Sequence, residues 1–393
     1  MAFSNSPENI LYGDRQLGFF PMHRLKHVEK PTNIITDEVQ RIDLRNTAFQ
    51  MAARGEYGLT VQKDMLRKIN TPKEPINASL HQLLSYLAAN QSFKVTDSKA
   101  LTTESPAVIS RHIKSLGYFL NADIMGICRL PQSAVYSHDV NGNPIDIDYQ
   151  FAIVIVVSKD YQTVNASGGR DWISDALSYQ SYQRSALIAH SMANYIRKLG
   201  YPALVEHGTG RYDVVMPPLL LWAGIGEVSR CGIVLNPFLG MNFKASAVIT
   251  NLPLLPDKPI DFGLQDFCQH CTICADACPS QAIPKGDKVM YNGYSTWKLN
   301  EQKCASFFIT NKKGSGCVMC TKVCPWNRPN TWMHNFVRWA VMHTGLTRRI
   351  ATKIDTSRRY PKGNIDEKWW FDLEEVDGAL TVPIQQSGIK GEP

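Results

Sequence analysis

Phe151 to Val157 (FAIVIVV) is seven consecutive apolar residues, mostly β-branched, with no alternation. That is the pattern of a strand buried on both faces, and it implies a central sheet covered by helices. Between Tyr182 and Leu199 the apolar positions Ile188, Met192, Tyr195, Ile196 and Leu199 form one face of a helix, which Gly200 ends. Further upstream Ser105 stands at a cap position and Pro106 in a first turn, followed by Ile109, Ile113 and Leu116 at helical spacing. A strand over Asp123 to Cys128 follows at once. More strands are predicted at Ala203 to Val205, Gly232 to Leu235 and Ala247 to Thr250, which gives the helix and strand alternation of an α/β (α+β) domain.

The pattern weakens on both sides of this region. From Met1 to about Thr103 the chain is aromatic-dotted and weakly periodic, punctuated by Pro21, Pro31, Pro72 and Pro75, with one helix expected around Leu80 to Leu87. Beyond the proline-rich bridge Leu252 to Pro259 the residues become cysteine-rich and turn-rich until about Asn330. Four units follow from these shifts: an irregular N-terminal wrapping segment (1–103), an α/β domain (104–260), a small inserted domain (261–330) and a C-terminal extension packing on the α/β domain (331–393). The extension has a helix around Trp332 to Met342, a basic stretch from Thr347 to Lys362, and an aromatic patch, Trp369-Trp370-Phe371.

Composition narrows the classes of function. A chain of 393 residues with 44% hydrophobic and 20% charged residues is globular, with room for two or three domains. The net charge of +7 would suit a nucleic-acid binder only if concentrated. Its densest basic stretch, Thr347 to Lys362, lacks interleaved aromatics and reads as a solvated face. No apolar run reaches the length of a membrane span; Val214 to Ile225 is broken by Pro217 and Pro218. The N-terminus shows no basic region followed by an apolar one, so no signal peptide is visible. The sequons at Asn77, Asn90 and Asn165 read as chance.

The cysteines change the picture most. Of ten, Cys128 and Cys231 are scattered in strand-like apolar contexts and read as small buried hydrophobes, while eight fall between Cys268 and Cys324. Cys268-x2-Cys271-x2-Cys274-x3-Cys278-Pro279 is the run that ligates iron-sulfur clusters in bacterial two-cluster ferredoxins, where the fourth cysteine serves the other cluster. Cys304-x12-Cys317-x2-Cys320-x3-Cys324-Pro325 supplies four more. The crossover assigns Cys268, Cys271, Cys274 and Cys324 to one 4Fe-4S cluster and Cys278, Cys304, Cys317 and Cys320 to the other. Two four-cysteine zinc sites would share some of this spacing but do not need it. Two clusters move single electrons, so the rest of the chain either docks an electron partner or holds a third redox centre.

Beside this array the sequence resembles the corrinoid-dependent reductive dehalogenases, of the respiratory type in mature form. The resemblance covers roughly Ala122 to Asn335. It is carried by Ala122-Asp-Ile-Met-Gly126, Tyr195-Ile-Arg-Lys-Leu-Gly-Tyr201-Pro-Ala203, Ala223-Gly-Ile-Gly-Glu-Val-Ser-Arg230-Cys-Gly232, Thr250-Asn-Leu-Pro-Leu-Leu-Pro-Asp-Lys-Pro-Ile-Asp-Phe-Gly263, both Cys-Pro motifs, Trp326-Asn327 and Trp332. It implies a nitroreductase-like domain binding base-off cobalamin, an inserted ferredoxin-like domain with two 4Fe-4S clusters, and removal of halide from a small organohalide by Co(I) cobalamin. It also places Gly224, Gly226, Glu227 and Arg230 at the corrinoid.

In the family a tyrosine just before the long helix donates the proton. Tyr182, fifteen residues before Arg197, resembles that position, with Tyr179 as the nearby competitor. Where the family commonly has an arginine a few residues after a glycine, Gly240-Met-Asn-Phe-Lys244 puts Lys244. A cation beside a phenol favours the phenolate, and lysine is a compact point charge rather than a fork. Some members carry an asparagine after Gly-Tyr-x-Ala. Here the chain reads Val205-Glu-His-Gly-Thr-Gly-Arg211, slightly longer, so His207 or Thr209 takes the polar position or neither does. His190, on the long helix, reads as structural.

Two other readings stay open. Epoxyqueuosine reductase has similar cofactors but acts on tRNA, and would be expected to carry an acidic proton donor and a helical-repeat tail. A corrinoid-free iron-sulfur electron-transfer protein needs only the cysteines. The dehalogenase resemblance implies an external low-potential electron donor and a small membrane-anchor protein, no nucleic acid, and leaves room for a homodimer. It places the protein on the outer face of the cytoplasmic membrane after removal of a signal, with the cytoplasm as the alternative. Chloroalkane, chloroethene and chloroaromatic substrates are not separable from sequence.

Overall fold

The computed structural model describes residues 17–33, 36, 38–70, 75–100, 105–167, 172–209, 213–311, 316–356, 374–376 and 379–381. The aromatic patch Trp369-Trp370-Phe371 and the distal part of the basic stretch, with Arg358, Arg359 and Lys362, lie outside them.

The N-terminal hundred residues are more helical than their weak periodicity suggests, with α1 (Ala48–Ala53), α2 (Leu59–Asn70) and α3 (Pro75–Ala89). α3 packs on the long helix of the α/β domain, and Ala52 and Val61 form a small core with Ala305 and Ile309 of the cysteine-rich domain. So narrow an apolar stripe falls below the signal of a full amphipathic face. Before α1 the segment contacts the later chain: Val28 N donates to Pro259 O at 2.8 Å and Lys26 pairs with Asp261 at 2.6 Å.

The α/β domain follows as α4 (Pro106–Phe119), β1 (Ile124–Arg129), β2 (Phe151–Ser158), α5 (Tyr161–Ala166), α6 (Trp172–Lys198), β3 (Ala203–His207), α7 (Met216–Trp222), β4 (Glu227–Val228), β5 (Val234–Leu235) and β6 (Phe243–Thr250). Its main sheet runs β1-β2-β6-β3 with every pair antiparallel. Side chains alternate across this sheet, so one face (Ile153, Ile155, Val157, Val205, Val248) packs on α4 and α6. The other (Ala152, Val154, Val156, Ala247, Ile249) packs on α7. Burial on both faces explains the unalternating apolar run of β2. Cys128 is buried in the α7-side core, as a small hydrophobe would be.

The strand expected over Gly232 to Leu235 does not join this sheet. It is the short β5, paired only with β4 in a separate ribbon. A tight backbone approach forces this ribbon: a Cβ on Gly226 would meet Leu235 O at 2.2 Å.

The cysteine-rich domain contains α8 (Leu264–His270), α9 (Ile273–Asp276), the β7 (Val289–Tyr291) and β8 (Tyr294–Thr296) hairpin, α10 (Glu301–Thr310) and α11 (Met319–Lys322). The hairpin turns on Asn292 and Gly293, both at positive φ, the usual chemistry of a two-residue turn. The extension continues as α12 (Trp332–His343) and α13 (Gly345–Thr356). These two helices pack on the cysteine-rich domain, α13 against α8, and Val341, Met342 and Ala351 join a core that also holds Leu235 and Met241 of the α/β domain. Arg348, expected on a solvated face, is pinned there by a 3.0 Å ion pair to Asp266 and by the Val341 and Met342 carbonyls.

Candidate active site and cluster domain

Packing of α6 on the sheet brings Tyr182 and Lys244 together. On β6, Lys244 and Ser246 are two apart and so share the face toward α6. Ser246 Oγ lies 2.7 Å from Ser185 Oγ, and Ser185 Oγ donates to the Tyr182 carbonyl at 3.0 Å, fixing that turn of α6 against the strand. Lys244 Nζ then sits 4.8 Å from the centre of the Tyr182 ring, over its face. Gly208, just after β3, closes the other side: a Cβ there would come within 2.5 Å of the ring. Tyr179 points elsewhere, its ring 6.2 Å from that of His81 on α3.

His207 is buried at the end of β3, its Nε2 3.5 Å from His190 Nε2. Burial holds both imidazoles below their ordinary range, His190 down to about 4, with His207 and then Arg197 adding to the effect there. Thr209 follows with φ +65, a conformation rarely adopted outside glycine, asparagine and aspartate.

Sequence reasoning missed Lys159. It follows β2, is buried, and donates from Nζ to Ser178 Oγ at 2.9 Å. Burial pushes it down to about 7, helped by Lys244 and opposed by Asp175 and Cys320. It therefore lies within electrostatic reach of both Lys244 and the cysteine domain. The available signal was its place after the sheet's most apolar strand. A cavity of about 710 Å³ opens here, lined by Lys159, Gln180, Arg184, Asn242 and Arg328. Phe20, Phe238 and Asn330 are shared with an adjoining cavity of about 850 Å³. Asn242 Oδ1 is buried with no hydrogen-bond partner.

Among the described residues no three His, Cys, Asp or Glu side chains are placed together as a group that could hold a metal ion, but the clustered cysteines sort by their electrostatic neighbours. Cys274 lies within electrostatic reach of Cys324 and Cys268, and Cys324 within reach of Cys268 and Cys271. Cys304 neighbours Cys317 and Cys278, and Cys320 neighbours Cys317 and Cys304. The fold thus brings the last cysteine of each run to the other run's group. Burial pushes the Cys268 thiol up to about 12.

Glu227 and Arg230 join the domains. Glu227 is buried and accepts from Thr32 Oγ1 at 2.5 Å and Phe262 N at 2.9 Å. Arg230, 1% exposed, donates to the carbonyls of Cys268, Cys271, Pro284 and Gly286 at 2.7–3.1 Å, and its guanidinium lies 4.7 Å from the centre of the Trp297 ring. The loop carrying the first cysteine run is therefore bolted to the β4–β5 ribbon. Gly224, at φ +67, and Gly226 are points of close backbone approach, Gly224 to Lys258 O and Gly226 to Leu235 O.

Residues 267–327 match the family of 4Fe-4S double cluster binding domains. Over 339 residues the chain is 27% identical to the tetrachloroethene reductive dehalogenase of Sulfurospirillum multivorans, covering 75% of this chain and 66% of that protein. Over 214 residues it is 37% identical to the tetrachloroethene reductive dehalogenase of Dehalobacter restrictus, covering 52% of this chain and 37% of that one. Among solved structures, the catabolic reductive dehalogenase NpRdhA in complex with 3-bromo-4-hydroxybenzoic acid superposes with a TM-score of 0.86 at 36% identity, over 93% of this chain and 53% of that one. The chain thus spans about a third to two thirds of the length of these relatives.

Proposed function

Because the chain belongs to the reductive dehalogenase family, we propose that it removes halide from a small organohalide using a corrinoid and two 4Fe-4S clusters, with Tyr182 as the proton donor. The overall change is R–X + 2e⁻ + H⁺ → R–H + X⁻. The observation that carries this reading is the Lys244 cation over the Tyr182 ring; the buried Lys159, within electrostatic reach of both Lys244 and Cys320, lines a polar-walled cavity.

The residues present fit a corrinoid, whose rim bears amide side chains. Lys159, Gln180, Arg184 and Arg328 offer donors to such amides, and the unpartnered Asn242 Oδ1 offers an acceptor. When bound, the corrinoid supplies a strong low-potential reductant at its metal, and the clusters supply it with single electrons. Cys304 is exposed while Cys268, Cys271 and Cys324 are buried, which supports entry of electrons from an external donor through the second cysteine group.

The protein's own part is proton delivery and electrostatics. Tyr182 Oη gives its proton to the carbon that loses halide, leaving a phenolate that takes a new proton from solvent. The Lys244 cation over the ring stabilises the negative charge that forms. Lys159 adds a second cation whose charge depends on pH near neutrality. The test is halide release by the cofactor-loaded protein, reduced with a viologen, from a panel of chlorinated alkanes, alkenes and aromatics. Release from at least one class is expected. No release from any, at full cobalt and iron content, would overturn the proposal.

A further inference from the structure

The two helices of the extension keep large apolar side chains in solvent. Trp332, Met333, Phe336 and Trp339 on α12 are 54–83% exposed, and Leu346 and Ile350 on α13 are 71% and 48% exposed. The α12 rings are ordered: Phe336 stacks on Trp339 with centres 6.0 Å apart, and Trp339 lies 4.8 Å from the His343 ring. In the seam between the helices, a cavity of about 260 Å³ is lined by Met333, Val337, Val341 and Ala351 together with Arg328 and His334. Charge here has one sign. From Gln302 to Ile354 the chain has nine lysines and arginines and no aspartate or glutamate. On α13 the exposed residues Leu346, Arg349, Ile350 and Lys353 recur at helical spacing, so cations and apolar side chains share one face. Its other face is taken up by the cluster domain, where Arg348 pairs with Asp266 at 3.0 Å and Thr352 is buried.

We propose that α12 and α13 form a docking surface for an anionic phospholipid bilayer, with Trp332, Phe336, Trp339 and Leu346 entering the interface and Arg349 and Lys353 meeting lipid phosphates. Soluble monomers rarely expose contiguous apolar patches beyond a few hundred Å². Tryptophan, phenylalanine and leucine beside lysine and arginine are the residues that settle at a bilayer surface. The contact is peripheral, since no helix among the described residues is long and apolar enough to cross a membrane. A second copy of the chain fits this face less well. An isologous interface sets a patch against itself, so Arg349 and Lys353 would meet like charges with no acid between Gln302 and Ile354 to pair them. Lipid phosphate supplies the missing negative charge. Because α13 packs on α8, which carries Cys268, docking holds the cluster domain at the membrane. Nothing in this surface depends on halide removal.

The experiment is flotation of the purified full chain with vesicles of phosphatidylcholine alone and of phosphatidylcholine mixed with phosphatidylglycerol. Binding to the mixed vesicles is expected to be at least about tenfold tighter and to weaken as salt is added. Trp332→Ser with Phe336→Ser, and separately Arg349→Glu with Lys353→Glu, should each lower that binding at least about tenfold. All four side chains are exposed, so circular dichroism and melting temperature should stay as in wild type. Wild-type protein that does not float with the mixed vesicles overturns the proposal, as do variants that float like wild type. Equal binding to phosphatidylcholine alone overturns the choice of an anionic surface. A concentration-dependent dimer that the same substitutions break, with no vesicle binding, overturns it too and gives the face to a second copy.

Discussion

Lys244 lies with its Nζ 4.8 Å from the centre of the Tyr182 ring, a contact made by residues on β6 and α6 that only the folded sheet brings together. A cation over an aromatic face is worth about 0.5–2 kcal/mol, more as the ring gains negative charge. Lys244→Met should therefore slow halide release by roughly 2- to 30-fold, with cobalt and iron content unchanged. Steady-state rates at matched cofactor loading check this; rates equal to wild type would remove Lys244 from the mechanism.

The crossed grouping of cysteines makes a pairwise prediction. Cys324→Ser should lose the same cluster signal as Cys268→Ser, and Cys278→Ser the same signal as Cys317→Ser, each variant keeping about four of eight irons. EPR of the reduced variants decides it. If Cys324→Ser matched Cys317→Ser instead, each run would serve its own cluster.

Arg230 is buried with its guanidinium on four carbonyl-bearing residues of the cluster domain at 2.7–3.1 Å. Arg230→Met removes charged donors and leaves buried carbonyls unpaired, which should destabilise the protein by at least about 3 kcal/mol and lower retained iron. Denaturant melts of the holoenzyme test it, and a change below about 1 kcal/mol would contradict the joining role.

His190 has its pKa held down to about 4, first by burial and then by His207 and Arg197. The unfolded chain, near 6.5, binds more protons between those values. Stability from this site is thus fully present above pH 6.5 and lost as pH falls toward 4, by on the order of 2 kcal/mol once partial exposure is discounted. His190→Phe should flatten the acid side of the melting-temperature profile in that window; a slope identical to wild type would contradict it.

The legible parts of this molecule are those where chemistry fixes spacing. Cluster ligation dictates the cysteine runs, and burial on both faces dictates FAIVIVV in β2. Tyr182 and Lys244 were placed by family resemblance, because nothing local marks a tyrosine that will meet a lysine from a distant strand. Lys159 and Cys231 were illegible for a different reason: by type and neighbours one is an ordinary lysine after a strand and the other a packing cysteine. Only the fold gives them their neighbours: Lys159 meets the charges of Lys244 and Asp175, and Cys231 the Met241 sulfur. The β5 segment had the apolar composition of a sheet strand, but the close approach at Gly226 diverts it into a ribbon.

The central claim is that Tyr182 protonates the carbon that loses halide. Its most direct measurement is halide release by Tyr182→Phe against wild type, both loaded with corrinoid and both clusters and reduced identically. The phenylalanine ring still lies under Lys244 and lacks only Oη. A loss of at least about 100-fold is expected, the scale of a missing general acid, with cobalt and iron contents equal. Wild-type rates from Tyr182→Phe at the same cofactor content would contradict the account.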